Sequence, residues 1–221
     1  MLKKTLKLVA CLLPALFFVG CATQKTPYDY TAFKASKPRS IVVLPPLNES
    51  PEVIATYGML SQVSFPLAES GYYVMPVALV DETFKQNGLT TAADIHSVDV
   101  KKLHDIFGAD AALYVTVTNY GSTYNVISSN VIVSAKAKLV DLKTGAEIWS
   151  GAATASSAET QNNQGGGLIG ALVAAAVKQI INSATDSSWP IAGVASNRLL
   201  SAGMQNGILY GPRSPNYGKP Q

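Results

Sequence analysis

Cys21 divides this chain into two parts of different physical character. Before it, three lysines precede an apolar run over residues 8–19, and small residues lead into the cysteine. A basic start, a short apolar run and small residues before a cut are typical of an export signal. A stable membrane span needs about 20 apolar residues, so this run is too short to remain in the bilayer. The sequence therefore predicts a signal peptide over residues 1–20.

After the signal, the chain contains no cysteine other than Cys21, because Cys11 is removed with the signal. A disulfide within the mature chain is thus excluded, and its fold must be stabilised by packing. The remaining length, about 200 residues, suits one domain. The formal net charge of +3 comes from the signal lysines. A neutral mature chain offers no electrostatic basis for binding nucleic acid.

Val19-Gly20-Cys21 resembles the lipobox of bacterial lipoproteins. The resemblance implies cleavage between Gly20 and Cys21 and a covalent lipid, palmitate among its chains, on the Cys21 thiol; no other cofactor is expected. The alternative is an ordinary secretory signal whose cysteine merely lies near the cut. Two or more acyl chains make anchoring effectively permanent. Ala22 stands where Asp would be the usual inner-membrane retention signal, so the resemblance implies lipid anchoring in the outer membrane, facing the periplasm.

Composition divides the mature chain into three segments. Residues 21–37 are polar, contain Pro27 and predict a flexible tether. Residues 38–203 predict a single globular domain. Residues 204–221 contain three prolines and predict a Pro/Gly-rich C-terminal tail that is extended or partly disordered.

Apolar patterning predicts an α/β (α+β) fold. Strands are predicted over residues 41–44, 72–75, 111–117, 131–139 and 146–152. Helices are predicted over residues 51–70, 77–86, 99–107, 168–181 and 191–202. The first of these helices rests on Ile54, Tyr57 and Leu60 at helical spacing. The order of elements predicts a mixed sheet of about five strands with helices mainly on one face, followed by two C-terminal helices.

Residues that carry catalysis are few. His96 and His104 are the only histidines and lie eight positions apart, whereas metal pairs on a helix lie three or four apart. We therefore expect solvated histidines and no metal site. The chain lacks a Gly-x-Ser-x-Gly motif, and the glycines at 165–167 lack the Gly-Lys-Ser/Thr of a phosphate loop. No catalytic residue is predicted, and the chain is expected not to be an enzyme.

Two segments are candidates for contact with a partner. Gly166, Gly170 and Ala174 share one stripe of the predicted helix, and small residues four apart let helices approach closely. This stripe packs on another subunit, including a second copy in a homo-oligomer, on lipid, or on the protein's own sheet. The second candidate is the hairpin around residues 128–130. It either pairs edge to edge with a partner strand or is an ordinary hairpin of the core.

Four segments carry a wider resemblance, and these are residues 41–46 (IVVLPP), 108–111 (GADA), 139–149 (LVDLKTGAEIW) and 209–215 (LYGPRSP). They resemble envelope lipoproteins with a fold like the amino-terminal domain of TolB, including the curli-secretion lipoprotein and a penicillin-binding-protein activator lipoprotein. The tail and the order of elements look closest to a family of bacterial outer-membrane lipoproteins described only as a domain of unknown function. The resemblance implies a fold like the TolB amino-terminal domain and no catalysis.

The function that this resemblance implies is protein binding within an envelope transport or assembly complex. The expected partners are membrane lipid through the anchor and other envelope proteins, a curli-secretion-like lipoprotein among them. The alternative is a structural subunit of a curli-like secretion pore, and a second alternative is a periplasmic hydrolase. The sequence departs from the curli pore former because it lacks two clear hairpins of about 10 alternating residues per strand.

Overall fold

The structure is a computed structural model that describes residues 28–124, 129–159 and 186–219. Its helices are α1 Thr31–Ser36, α2 Ala55–Glu69, α3 Val77–Gln86, α4 Ala92–His96, α5 Val100–Phe107 and α6 Trp189–Leu200. Its strands are β1 Ser40–Val43, β2 Leu47–Asn48, β3 Tyr73–Val74, β4 Ala111–Tyr124, β5 Ser129–Asp141 and β6 Glu147–Ser156. The mixed α/β class predicted from the sequence is confirmed. The predicted signal and the predicted helix over residues 168–181 lie outside the described residues.

The strands form one sheet in the order β3-β1-β4-β5-β6, and β2 pairs with β4 beyond the end of β1. β1 is parallel to β3 and β4, whereas β4, β5 and β6 are antiparallel. The apolar run of β1 is fully buried because it lies between two other strands with both faces covered. Strand β2 is not predicted from the sequence, because its two residues are too few to show the alternation of apolar and polar residues that marks a strand.

Helices lie against both faces of the sheet, whereas the sequence places them mainly on one. α1, α2 and α6 pack on the face of Ile41 and Val43. α3, α4 and α5 pack on the face of Val42 and Leu44. Successive strand residues point to opposite faces, so the continuous apolar run of β1 serves both layers. The order of elements alone does not determine which face each helix covers.

The hairpin of β4 and β5 is longer than the sequence predicts. The two strands have 14 and 13 residues and pair from Ala111 opposite Asp141 to Tyr124 opposite Ser129. The register shifts between Val117 and Asn119, as at a β-bulge, where an extra residue breaks the alternation of faces. That break ends the periodic pattern near residue 117, which is why the predicted strand stops there. The structure thus confirms the hairpin predicted around residues 128–130 and makes both of its strands longer than the predicted ranges 111–117 and 131–139.

Both ends of the described chain pack on the domain, where the sequence predicts a tether and a tail. Phe33 of α1 and Ile208 are both buried in the core. The Tyr30 hydroxyl donates a hydrogen bond of 2.5 Å to the Gly207 carbonyl and so joins the two ends. The Tyr28 hydroxyl accepts a hydrogen bond of 2.8 Å from the backbone of β6. α1 and the start of the tail are therefore part of the folded unit.

The tail crosses the turn after α2 at two glycines. Gly71 has a φ of +97°, and a Cβ added there would lie 2.5 Å from the Ser214 nitrogen. A Cβ at Gly211 would lie 2.5 Å from the Gly71 oxygen. Two hydrogen bonds hold the crossing: Gly211 N donates to Ser70 O at 2.8 Å, and Arg213 N donates to Gly71 O at 3.0 Å. Only glycine permits so close an approach of the two backbones.

Candidate functional site

Most site residues predicted from the sequence lie outside the described residues. These are Gly20, Cys21, Gly166, Gly170 and Ala174. Lipidation and the contact role of the small-residue stripe therefore stay predictions. Within the three described ranges, no helix is both long and apolar enough to cross a membrane.

The hairpin that is the second predicted contact segment belongs to the core sheet over its described residues. β5 lies between β4 and β6, and its pairing with β6 runs from Ile132 opposite Ser156 to Val140 opposite Glu147. Over this length β5 has a strand on both sides, so the structure favours the ordinary hairpin there. Beyond Val117, β4 pairs only with β5 among the described strands.

The sequence predicts solvated histidines. In the structure, each of the two histidines instead lies within hydrogen-bond distance of a backbone carbonyl oxygen. His96 Nε2 lies 2.9 Å from the Pro45 oxygen, and its ring packs edge-on to Tyr114 with centroids 5.2 Å apart. Burial lowers the pKa of His96, so its neutral form is favoured. His104 Nδ1 lies 3.0 Å from the Ala109 oxygen. The residues that the structure describes include no cluster of three or more His, Cys, Asp or Glu side chains suited to a metal.

The outer face of α2 carries an exposed apolar row that the sequence analysis does not identify as a site. Tyr57 is 50% exposed and Phe65 is 63% exposed. α2 contains no lysine or arginine, and its one acidic residue is Glu69 at its end. We call this row the α2 stripe, and at helical spacing it consists of Ile54, Tyr57, Ser61, Phe65 and Ala68.

The opposite face of α2 is buried against the sheet through Ala55, Met59, Val63 and Leu67. The helix is therefore apolar on both sides, a pattern typical of helices buried on both sides. Single exposed apolar residues are common on protein surfaces, whereas several that share one face of a helix, here with Ser61 between Tyr57 and Phe65, suit a contact surface. The α2 stripe is thus a candidate site for binding another protein.

Trp189, at the start of α6, widens the α2 stripe. The Trp189 side chain is half exposed, and its Nε1 donates a hydrogen bond of 2.9 Å to Ser61 Oγ. This bond holds the indole ring beside the stripe. On the other side, the Lys85 ammonium lies 5.2 Å from the centroid of the Tyr57 ring. An apolar centre with an aromatic anchor and a charged rim is the usual anatomy of a protein interface.

A groove of about 570 Å³ lies between α1 and the C-terminal tail. We call it the tail groove. Phe33 and Tyr72 are buried lining residues, at 4% and 3% exposure. The other lining residues are Tyr30, Lys34, Lys37, Pro38, Leu209, Tyr210, Tyr217, Gly218 and Lys219. Its volume falls in the range of small-molecule sites.

The tail groove is positively charged. Its described lining includes three lysines and no carboxylate. Burial raises the pKa of Tyr72, whose hydroxyl donates a hydrogen bond of 2.5 Å to the Leu209 carbonyl. This tyrosine is therefore neutral at physiological pH. The groove thus combines an aromatic floor with a cationic rim.

Comparison with known proteins supports the lipoprotein assignment. The family model described as "Putative lipoprotein GNA1162-like" matches residues 28–213. The "Putative lipoprotein NMB1124/NMB1162" of Neisseria meningitidis serogroup B is 55% identical over 207 residues, which are 93% of this chain and 95% of that protein.

Two solved structures are also similar to this chain. The crystal structure of lipoprotein GNA1162 from Neisseria meningitidis is 58% identical, with a TM-score of 0.54, and covers 66% of this chain and 100% of that chain. The LpoB C-terminal domain from Salmonella enterica is 18% identical, with a TM-score of 0.39, and covers 57% of this chain and 98% of that chain.

Proposed function

Since this chain belongs to the GNA1162-like lipoprotein family, we propose that it is a non-enzymatic lipoprotein of the outer membrane that binds another envelope protein. In this proposal Cys21 carries the acyl anchor and the domain faces the periplasm as part of a transport or assembly complex. The α2 stripe is the observation that carries the binding role. The names of both Neisseria proteins describe lipoproteins and name no enzymatic activity.

The partner that fits the α2 stripe is a different envelope protein with an uncharged apolar surface. From Ala55 to Ala68 the helix carries no charged side chain, so a charged partner surface would lose its hydration without gaining an ion pair. Phe65 and Trp189 would supply the buried aromatic anchors, the residue types that dominate binding energy in such interfaces. Lys85 and Glu69 would lie at the rim.

We expect Phe65→Asp to weaken the complex about 30-fold, because a charge at an aromatic anchor costs about 2 kcal/mol or more. The measurement is cross-linking in intact cells, read as the fraction of chain joined to a second protein. The matched control is Ile106→Asp, since Ile106 is also more than half exposed but lies on α5, across the sheet. Both variants should keep the wild-type unfolding temperature, because neither residue is buried.

Two results would contradict the binding role. Cross-links that survive Phe65→Asp as well as they survive Ile106→Asp would show that the α2 stripe is not the contact. Cross-linked species whose masses are all multiples of the mature chain would show self-association in place of a different partner.

The anchor is tested by replacing each cysteine. We expect a palmitate analogue supplied to cells to label the wild type and Cys11→Ser, and Cys21→Ser to lose the label entirely. Cys11→Ser is the matched control because it removes a thiol from the predicted signal without touching the predicted acylation site. A label that persists in Cys21→Ser, or a free thiol found by mass spectrometry at the mature amino terminus, would refute the anchor.

A further inference from the structure

We propose that the tail groove binds the head groups of anionic phospholipids, such as phosphatidylglycerol, in the membrane that holds the anchor. This inference rests on the proposed function for the position of the groove. The binding itself would be a property of the folded chain, so it can be tested without the anchor.

Chain length keeps the groove near the bilayer. Six residues lie between Cys21 and Tyr28, and the seven steps of the backbone from one to the other span at most about 25 Å when extended. Tyr28 is then held on β6, and Tyr30, the first residue of the groove lining, is bonded to Gly207. A lipid on Cys21 would therefore keep the groove close to the membrane surface.

The rim supplies the charge that an anionic head group requires. Lys34, Lys37 and Lys219 are exposed, and Lys219 Nζ donates a hydrogen bond of 2.9 Å to the side-chain oxygen of Asn216. The mature chain is neutral overall, so this local excess of lysines is a feature of one end of the fold. A lysine near an anionic surface strengthens binding by about fivefold.

Further cations lie at the same end of the sheet. Arg39 and Lys143 both approach Asp110, at 3.7 Å and 3.6 Å, so one carboxylate is shared by two cations. The Arg213 guanidinium lies over the Tyr73 ring, 5.1 Å from its centroid. The positive field thus extends beyond the rim lysines.

Two carboxylates on elements beside the groove are engaged locally. Asp29 accepts hydrogen bonds of 2.9 Å and 2.6 Å from the backbone and hydroxyl of Thr31. Asp141 is buried and accepts a hydrogen bond of 2.5 Å from the Ser36 hydroxyl. Neither lines the groove, so the rim itself keeps its positive charge.

The aromatic lining favours a lipid over free phosphate. Tyr210 and Tyr217 are partly exposed beside the buried Phe33 and Tyr72. Tyrosines with lysines are the residues that concentrate where a membrane meets water, because each joins an apolar body to a polar tip. An apolar floor below a cationic rim matches a ligand with a phosphate joined to a glycerol and acyl chains.

The experiment measures partition of the mature chain, residues 21–221 with Cys21→Ser, onto sedimented vesicles. Vesicles of phosphatidylcholine alone are compared with vesicles that also contain phosphatidylglycerol. We expect binding only with phosphatidylglycerol, weakened by salt. The partition coefficient of the variant Lys34→Gln/Lys37→Gln/Lys219→Gln should be about a hundredfold lower, because each of the three lysines contributes about fivefold.

The matched control is Lys101→Gln/Lys102→Gln/Lys136→Gln, which makes the same change in net charge on exposed residues away from the groove. An equal loss in this control, or equal binding to phosphatidylcholine alone, would overturn the proposal. Displacement by inorganic phosphate at a concentration equal to the vesicle phosphate would assign the groove to free phosphate and also overturn it. A palmitate label that is absent from the wild type, or that persists in Cys21→Ser, would refute the anchor alone, since these vesicle measurements use a chain without an anchor.

Discussion

Replacing Trp149 by alanine is expected to lower the free energy of unfolding by about 4 kcal/mol. Trp149 lies in β6 at 1% exposure and is the largest fully buried side chain of the described core. Its removal leaves a cavity between the sheet and α6. The indole Nε1 also donates a hydrogen bond of 3.1 Å to the Asn206 carbonyl, so the substitution releases the start of the tail. Asn206 precedes Gly207, which accepts the hydrogen bond from Tyr30 beside the tail groove.

Urea unfolding measures this effect, and the only other tryptophan of the chain provides the control. Trp189 is 50% exposed, so Trp189→Ala should change the free energy of unfolding by about 1 kcal/mol or less. Trp149→Phe should lose roughly half as much as Trp149→Ala, because it keeps a ring but not the hydrogen bond. Equal losses for the two tryptophan-to-alanine variants would contradict the assigned burial.

Replacing Asp141 by alanine is expected to cost about 3 kcal/mol at neutral pH, since four hydrogen-bond donors would lose one buried, charged acceptor. Asp141 Oδ1 accepts hydrogen bonds from the backbone of Lys143 at 2.9 Å and from the backbone and hydroxyl of Thr144 at 2.8 Å and 2.9 Å. Its Oδ2 accepts from the Ser36 hydroxyl at 2.5 Å and so joins α1 to the turn before β6. One carboxylate thus closes the turn and holds the helix that forms one wall of the tail groove.

The effect of Asp141 should depend on pH. Burial raises the pKa of this carboxyl, but the hydrogen bonds from Ser36, Thr144 and Lys143 together outweigh burial and hold the pKa below its usual value. A lowered pKa contributes stability above the pKa of the unfolded chain, about 4, and that contribution is lost as pH falls through the folded value. The difference in unfolding free energy between wild type and Asp141→Ala should therefore shrink as the pH is lowered below about 4.

Asp141→Asn is the matched control, because its amide oxygen can still accept from the turn while the charge is absent. We expect it to lose about 1 kcal/mol at neutral pH and to show a flatter acid dependence than the wild type. Chemical unfolding at a series of pH values measures all three chains. A constant difference between wild type and Asp141→Ala across the acid range would show that the charge of Asp141 does not stabilise the fold.

Local sequence patterns were sufficient to predict the helices and strands whose start, stop and apolar signals lie within a few residues of one another. The helix predicted over residues 77–86 is α3, Val77–Gln86, because Pro76 precedes it and Asn87-Gly88 ends it. The apolar run at residues 41–44 predicts a strand buried on both faces, and β1 is one. The resemblance of the motifs at residues 41–46 and 139–149 to envelope lipoproteins is confirmed by the family match over residues 28–213.

The residues of α2 do not by themselves indicate which face of the helix packs on the sheet. The prediction of this helix rests on Ile54, Tyr57 and Leu60, but of these only Leu60 is buried. The face that meets the sheet is that of Met59, Val63 and Leu67. A helix that is apolar on both sides has no pattern that indicates which side is inward. Packing against the sheet decided this, and so it also decided that the α2 stripe is exposed.

The sequence by itself determined the α/β class, the positions of most helices and strands, and the membership of a lipoprotein family, because these depend on periodicity, on turn residues and on short motifs. Tertiary structure alone decided which helices cover which face of the sheet and how α1 meets the tail. It also decided the position of Trp149, which pairs with Leu139 where the register of β5 and β6 shifts. The tail groove joins Tyr30 to residues near 210 that are distant along the chain. Contacts at such separation depend on how all the layers pack together, and no local pattern of residues encodes them.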